Sequence, residues 1–119
     1  MSTSRAPSDC LFCKIVSGEV PGDVVRRTGT TLAFRDVAPQ APVHVLVVPL
    51  EHYENAAEVV ERAPQVAVDL LDTAAAVARD EGIEEGYRLV FNTGERGGQA
   101  VFHTHLHVLG GRQMGWPPG

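Results

Sequence analysis

The run His44-Val45-Leu46-Val47-Val48-Pro49 constrains the fold more than any other stretch of the chain. It is almost wholly apolar and β-branched, which predicts a central strand buried on both faces, stopped by a proline that has no N–H for the ladder. Such a strand needs partners on both edges and cover on both faces. Val24–Thr28 and Thr31–Asp36 have strand composition around the turn Thr28-Gly29-Thr30 and read as a hairpin, and Tyr87–Asn92 and Phe102–Leu109 read as two further strands.

Cover comes from helical segments. Ser8 or Asp9 can cap a short helix through about Ser17, closed by Gly18 and Pro21, whose Leu11, Phe12, Ile15 and Val16 form an apolar side. Asn55-Ala56-Ala57-Glu58 resembles a capping box that opens a second short helix. Pro64 suits the first turn of a long helix running to about Glu81 and stopped by Gly82. Its stripe Ala67, Leu70, Ala74 and Val77 reads as core or subunit interface. Short connections around one long helix predict an α+β fold with a mostly antiparallel sheet.

At 119 residues and 44% hydrophobic content the chain reads as one domain, residues 9–119, behind a flexible tail, residues 1–8. The segment 110–119 reads as a C-terminal loop, in which Trp116 is a large apolar group for the surface of a lone monomer. A net charge of −5 argues against nucleic-acid binding, which rests on neutralising many phosphates; a single phosphorylated ligand needs only a few local donors. With no secretory h-region and no apolar run of membrane-spanning length, the expected address is the cytoplasm, with no membrane partner.

Two motifs carry chemistry. In His103-Thr104-His105-Leu106-His107 the histidines alternate, so on a strand all three project from one face. Imidazoles can serve as ligands, acids, bases or nucleophiles near neutral pH. Gly97-Gly98-Gln99 just upstream frees a turn to approach an anion with its backbone N–H groups. The second motif, Cys10-Leu11-Phe12-Cys13, spaces two thiols for a metal or for redox chemistry, and no βαβ pattern supports the redox reading.

Taken with Asp36, Pro39-Gln40-Ala41-Pro42 and Gly110-Gly111-Arg112-Gln113-Met114 through Gly119, the histidine run resembles the histidine triad (HIT) family of nucleotide-binding proteins, and its Hint branch in particular. The galactose-1-phosphate uridylyltransferase branch has Gln where this chain has His107. The resemblance implies a five-stranded sheet continued across a homodimer, and hydrolysis of purine nucleoside phosphoramidates to nucleoside monophosphate and amine. His105 matches the nucleophile, with His107 and His103 completing the catalytic row. Asp36 would hold the ribose, and Asn92, Gly98, Gln99 and Ala100 would approach the phosphate. His44 would line the nucleotide site, and Leu11, Phe12, Ile15, Phe34 and Val37 match an apolar slot for the base. As in zinc-containing bacterial relatives, Cys10, Cys13, His52 and His103 would hold a structural Zn2+, with no cofactor needed for the chemistry.

One departure stands out, because the Hint pattern has Ser where this chain has Ala100. Losing a preorganised donor costs about a hundredfold in rate, so a nucleotide sensor or adaptor is an alternative. A dinucleoside polyphosphate hydrolase is another, disfavoured by the Gly110–Met114 tail.

Overall fold

The computed structural model describes residues 7–119, and the expected tail falls mostly outside them. Pro7 and Ser8 form an exposed turn that leads into the first helix, with the Cys10 N–H donating to the Pro7 carbonyl at 3.2 Å. Three helices and five strands follow: α1 (Leu11–Ser17), β1 (Val24–Arg27), β2 (Thr31–Arg35), β3 (Val43–Pro49), α2 (Ala56–Arg62), α3 (Pro64–Asp80), β4 (Tyr87–Phe91) and β5 (Leu106–Gly110). The strands make a single antiparallel sheet in the order β1-β2-β3-β5-β4. β3 is central and buried through Pro49, as its composition requires.

Alternation along the strands sorts side chains to two faces. Ala33, Val45, Val47, Leu106 and Val108 pack against Leu70, Ala74, Val77 and Ala78 of α3. Opposite them, Leu32, Phe34, Leu46 and Val48 pack against Cys10 and Phe12 at the start of α1. The expected α3 stripe is therefore core, with Ala67 at its margin.

Local chemistry explains the helix ends. The capping box at Asn55 is present, its Oδ1 accepting from Glu58 N at 3.0 Å while a Glu58 carboxylate oxygen accepts from Glu54 N at 2.7 Å. The cap of α1 is Cys10, not Ser8 or Asp9, and its Sγ accepts from Cys13 N at 3.3 Å. Gly18 closes that helix at φ 84°, a left-handed conformation that glycine adopts without strain.

The expected histidine strand starts later than its alternation predicts. β5 begins at Leu106, and residues 101–105 have no ladder. Their polar groups are met another way: Thr104 N and Oγ1 both donate to the Tyr53 carbonyl, at 2.7 and 2.9 Å, which pulls the segment off the sheet. Strands β1, β2 and β4 each end one residue short of their predicted ends, at Arg27, Arg35 and Phe91.

Candidate active site

Because α1 is short, it covers only part of its face of the sheet. A cavity of about 820 Å³ remains, lined by Leu11, Phe12 and Ile15 from α1, Phe34, Asp36 and Val37 from the end of β2, Asn92, Gly98 and Ala100 from the β4–β5 connection, and His105 and His107. Eleven of the residues expected to touch a nucleotide thus meet around one space. His44 and Gln99 do not line it. Gln99 is buried in the loop instead, where Oε1 accepts from Gly94 N at 2.9 Å and Nε2 donates to the carbonyls of Glu54 and Val101. It shapes the loop that brings Gly98 and Ala100 to the cavity. Pro21, Gly22, Asp23, Arg35, Leu46 and Val101 also line the space and escaped the sequence reading. Leu46 was within reach of it, since it shares a strand face with His44 two residues away.

The hydrogen-bond network fixes the tautomers of the two cavity histidines. His105 Nδ1 lies 2.8 Å from the His103 carbonyl, an acceptor only, so Nδ1 carries the proton and Nε2 keeps its lone pair. His44 Nδ1 accepts the backbone N–H of Gln40 at 3.0 Å, so its proton sits on Nε2, 2.8 Å from His107 Nδ1. His107 must then accept on Nδ1 and present Nε2–H. One imidazole offers an electron pair and its neighbour a donor, with ring centroids 5.0 Å apart.

Burial keeps both rings neutral. It drives His107 down to about 4, with His105 and His44 adding to the fall and Asp36 opposing it. Burial likewise lowers His105, against the pull of the His103 carbonyl and Asp36, and lowers His44 against Asp36. A neutral His105 can act as a nucleophile at physiological pH.

His103 lies apart from the cavity and is fully buried. Its Nδ1 sits 3.4 Å from the Sγ of both Cys10 and Cys13 and 3.2 Å from His52 Nδ1, and Cys13 Sγ is 3.5 Å from His52 Nδ1. Tetrahedral zinc with ordinary bond lengths would place its ligands about 3.3 to 3.6 Å apart, so these spacings fit. His103 Nε2 donates to the Pro49 carbonyl at 3.0 Å, which leaves Nδ1 bare and aimed at the cluster, as a metal-bound imidazole requires. Burial and the adjacent Cys10 push the Cys13 thiol up to about 12, so that sulfur needs a cation to be held as a thiolate. The donor set fits zinc.

Asp36, His44 and His107 also bring three possible ligand atoms together. There the chemistry fails, because the His44 Nε2 that would have to ligate carries the proton pinned by Gln40.

Comparison with known proteins places the chain in a family. The HIT domain family matches residues 17–114. The chain belongs to the HIT family. A crystal structure of a HIT family hydrolase from Legionella pneumophila Philadelphia 1 superposes with a TM-score of 0.89 at 50% identity, covering 93% of this chain and all of that one. A 14 kDa zinc-binding protein of Brassica juncea is 46% identical, across 93% of this chain and 100% of its own length. An adenylylsulfatase of Arabidopsis thaliana, HINT1, is 43% identical, across 100% of this chain and 82% of its own.

Proposed function

We propose that this protein is a nucleotidyl hydrolase that cleaves purine nucleoside phosphoramidates through a covalent intermediate on His105. The observation that carries the reading is the 2.8 Å bond from His105 Nδ1 to the His103 carbonyl, which leaves the Nε2 lone pair free on a ring that lines an apolar cavity together with Asn92, Gly98 and Ala100. With a nucleotide bound, the base lies in the slot of Leu11, Phe12, Ile15, Phe34 and Val37, and the ribose hydroxyls reach Asp36. The α-phosphate meets Asn92 and the Gly98–Ala100 backbone.

His105 Nε2 attacks the α-phosphorus while the P–N bond breaks, its electron pair staying on nitrogen, which takes a proton delivered through His107. Positive charge on the His105 ring is supported by the His103 carbonyl. The free amine leaves. Water then attacks phosphorus as the P–Nε2 bond to His105 breaks, the electron pair returning to Nε2, one proton of the water passing back through His107, and nucleoside monophosphate departs. Cys10, Cys13, His52 and His103 would hold a zinc ion, which would supply a structural cross-link between α1 and the histidine segment. The Arabidopsis and Legionella relatives support the hydrolase class, and the Brassica relative supports the metal.

A homodimer accompanies this reading. β4 is an edge strand whose Leu89 and Phe91 are more than a third exposed, and α3 leaves Val68 and Leu71 bare, an apolar surface suited to a second copy. Among the described residues no helix is long and apolar enough to cross a membrane. We also infer a cytoplasmic setting, on the strength of two reduced cysteines in a metal-fitting cluster.

Ala100 favours one other reading, a nucleotide sensor, because it lines the cavity without a hydroxyl. Incubation of the wild type and His105→Ala with an adenosine phosphoramidate, adenylyl sulfate, a diadenosine polyphosphate and AMP separates the readings. Turnover of the phosphoramidate with a nucleotidyl group trapped on His105 supports the proposal, and faster turnover of either alternative substrate moves the leaving group. AMP binding without any turnover leaves the sensor.

A further inference from the structure

We propose that the ion held by Cys10, Cys13, His52 and His103 sets the aim of His105, so that metal loading switches the catalytic imidazole into its reactive orientation. The inference rests on the hydrolase reading for its catalytic meaning, and on geometry for the coupling itself.

Three contacts run from the cluster to His105. The first is His103, whose ring points Nδ1 into the cluster while its main-chain carbonyl holds the His105 Nδ1–H at 2.8 Å. The second is the anchor of the segment between them: Thr104 is tied by N and Oγ1 to the carbonyl of Tyr53, the residue after His52. The third is Phe12, between the two cysteines, whose ring stands edge-on to His105 at 5.0 Å and to His103 at 6.0 Å. Residues 101–105 have no strand ladder, so these contacts, with the His103 Nε2 bond to the Pro49 carbonyl at 3.0 Å, help to hold the His105 backbone and ring.

Without the ion, His103 Nδ1 keeps only thiol and imidazole neighbours, the Sγ atoms of Cys10 and Cys13 at 3.4 Å and His52 Nδ1 at 3.2 Å. Such neutral contacts hold the ring less firmly than a metal–nitrogen bond, so His103 can shift when the ion leaves. Movement of His103 releases its carbonyl from the His105 Nδ1–H, and the tautomer that exposes Nε2 loses its preference. His107 provides an internal control. It sits on the β5 ladder and takes its tautomer from His44 and Gln40, none of which touches the cluster.

The test is the histidine 15N spectrum of the full chain at constant pH, loaded with zinc and then stripped by chelation. In the loaded protein His105 is expected as a single Nδ1–H tautomer. In the stripped protein it becomes a tautomer mixture, with His107 and His44 unmoved and nucleotidyl transfer to His105 slowed about a hundredfold, as expected for a misaligned reacting group. An unchanged His105 spectrum after zinc loss overturns the proposal, as does an equal change at His107 and His44. Should the stripped protein unfold, cadmium replaces zinc, since its longer bonds displace His103 within a folded chain. A His105 Nδ1–H resonance that moves while His107 stays still upholds the coupling, and one that does not move overturns it. Because the spectrum needs no turnover, failure to trap a nucleotidyl group on His105 sinks the hydrolase reading alone.

Discussion

On one face of the sheet the 17 residues of α3 seal Ala33, Val45, Val47, Leu106 and Val108 into a closed core. On the other, the seven residues of α1 cover Leu32, Phe34, Leu46 and Val48 incompletely, and the uncovered remainder is the cavity holding His105 and His107. Both faces derive from the same strands by alternation, so the difference lies in the length of the covering helix. The sheet gains a stable body from the longer cover, while the shorter one leaves a cleft open.

Substitutions on the two faces should therefore fail in opposite ways. The largest effect is expected at His105→Ala, which should lower the kcat for phosphoramidate hydrolysis by at least about a thousandfold while thermal unfolding shifts little. A stable protein with undiminished turnover would remove chemistry from the open face. Next comes the closed face: Leu70→Ala should cost about 2 to 5 kcal/mol by urea denaturation. Leu11→Ala, exposed on the cavity rim, should cost under about 1 kcal/mol yet weaken AMP binding measurably. Equal destabilisation by the two would erase the contrast.

A finer comparison uses one substitution on each side. A Cβ at Gly110 would meet Ile83 Cδ1 at 2.6 Å and Cβ at 3.1 Å, so Gly110→Ala should cost about 1 to 3 kcal/mol through overpacking. At Gly22 the nearest atom is the Ile15 Cγ2 methyl at 2.9 Å, at the edge of open space, and Gly22→Ala should cost under about 1 kcal/mol.

A last comparison is a pH slope. Burial holds His107 at about 4 in the folded chain against 6.5 unfolded, so between these values the unfolded chain binds more protons. The contribution to stability is complete above about pH 6.5 and lost as pH falls toward 4. His107→Gln should flatten that part of a stability profile measured by denaturant titration, and an unchanged slope would show that the ring is not held neutral by its face of the sheet.

The closed face was the more legible in sequence, because β3 and the α3 stripe follow from periodicity and β-branching alone. Alternation put His103, His105 and His107 on one strand face, whereas Thr104 and Tyr53 take the first two off the sheet and only His105 and His107 reach the cavity. That departure depends on a contact across 51 residues, which no local pattern encodes. The Gln40–His44–His107 relay was illegible for the same reason, since the course of the proline-bearing loop decides where its N–H points. The four thiol and imidazole positions came from resemblance, because Cys-x-x-Cys spacing says nothing of His52 or His103.

Val37 stands at the mouth of the cavity with its side chain completely bare to water. If the base of the proposed nucleotide settles there, this wet hydrocarbon leaves its hydration shell. Calorimetry of ligand association should accordingly register a fall in heat capacity, traceable in part to this single valine.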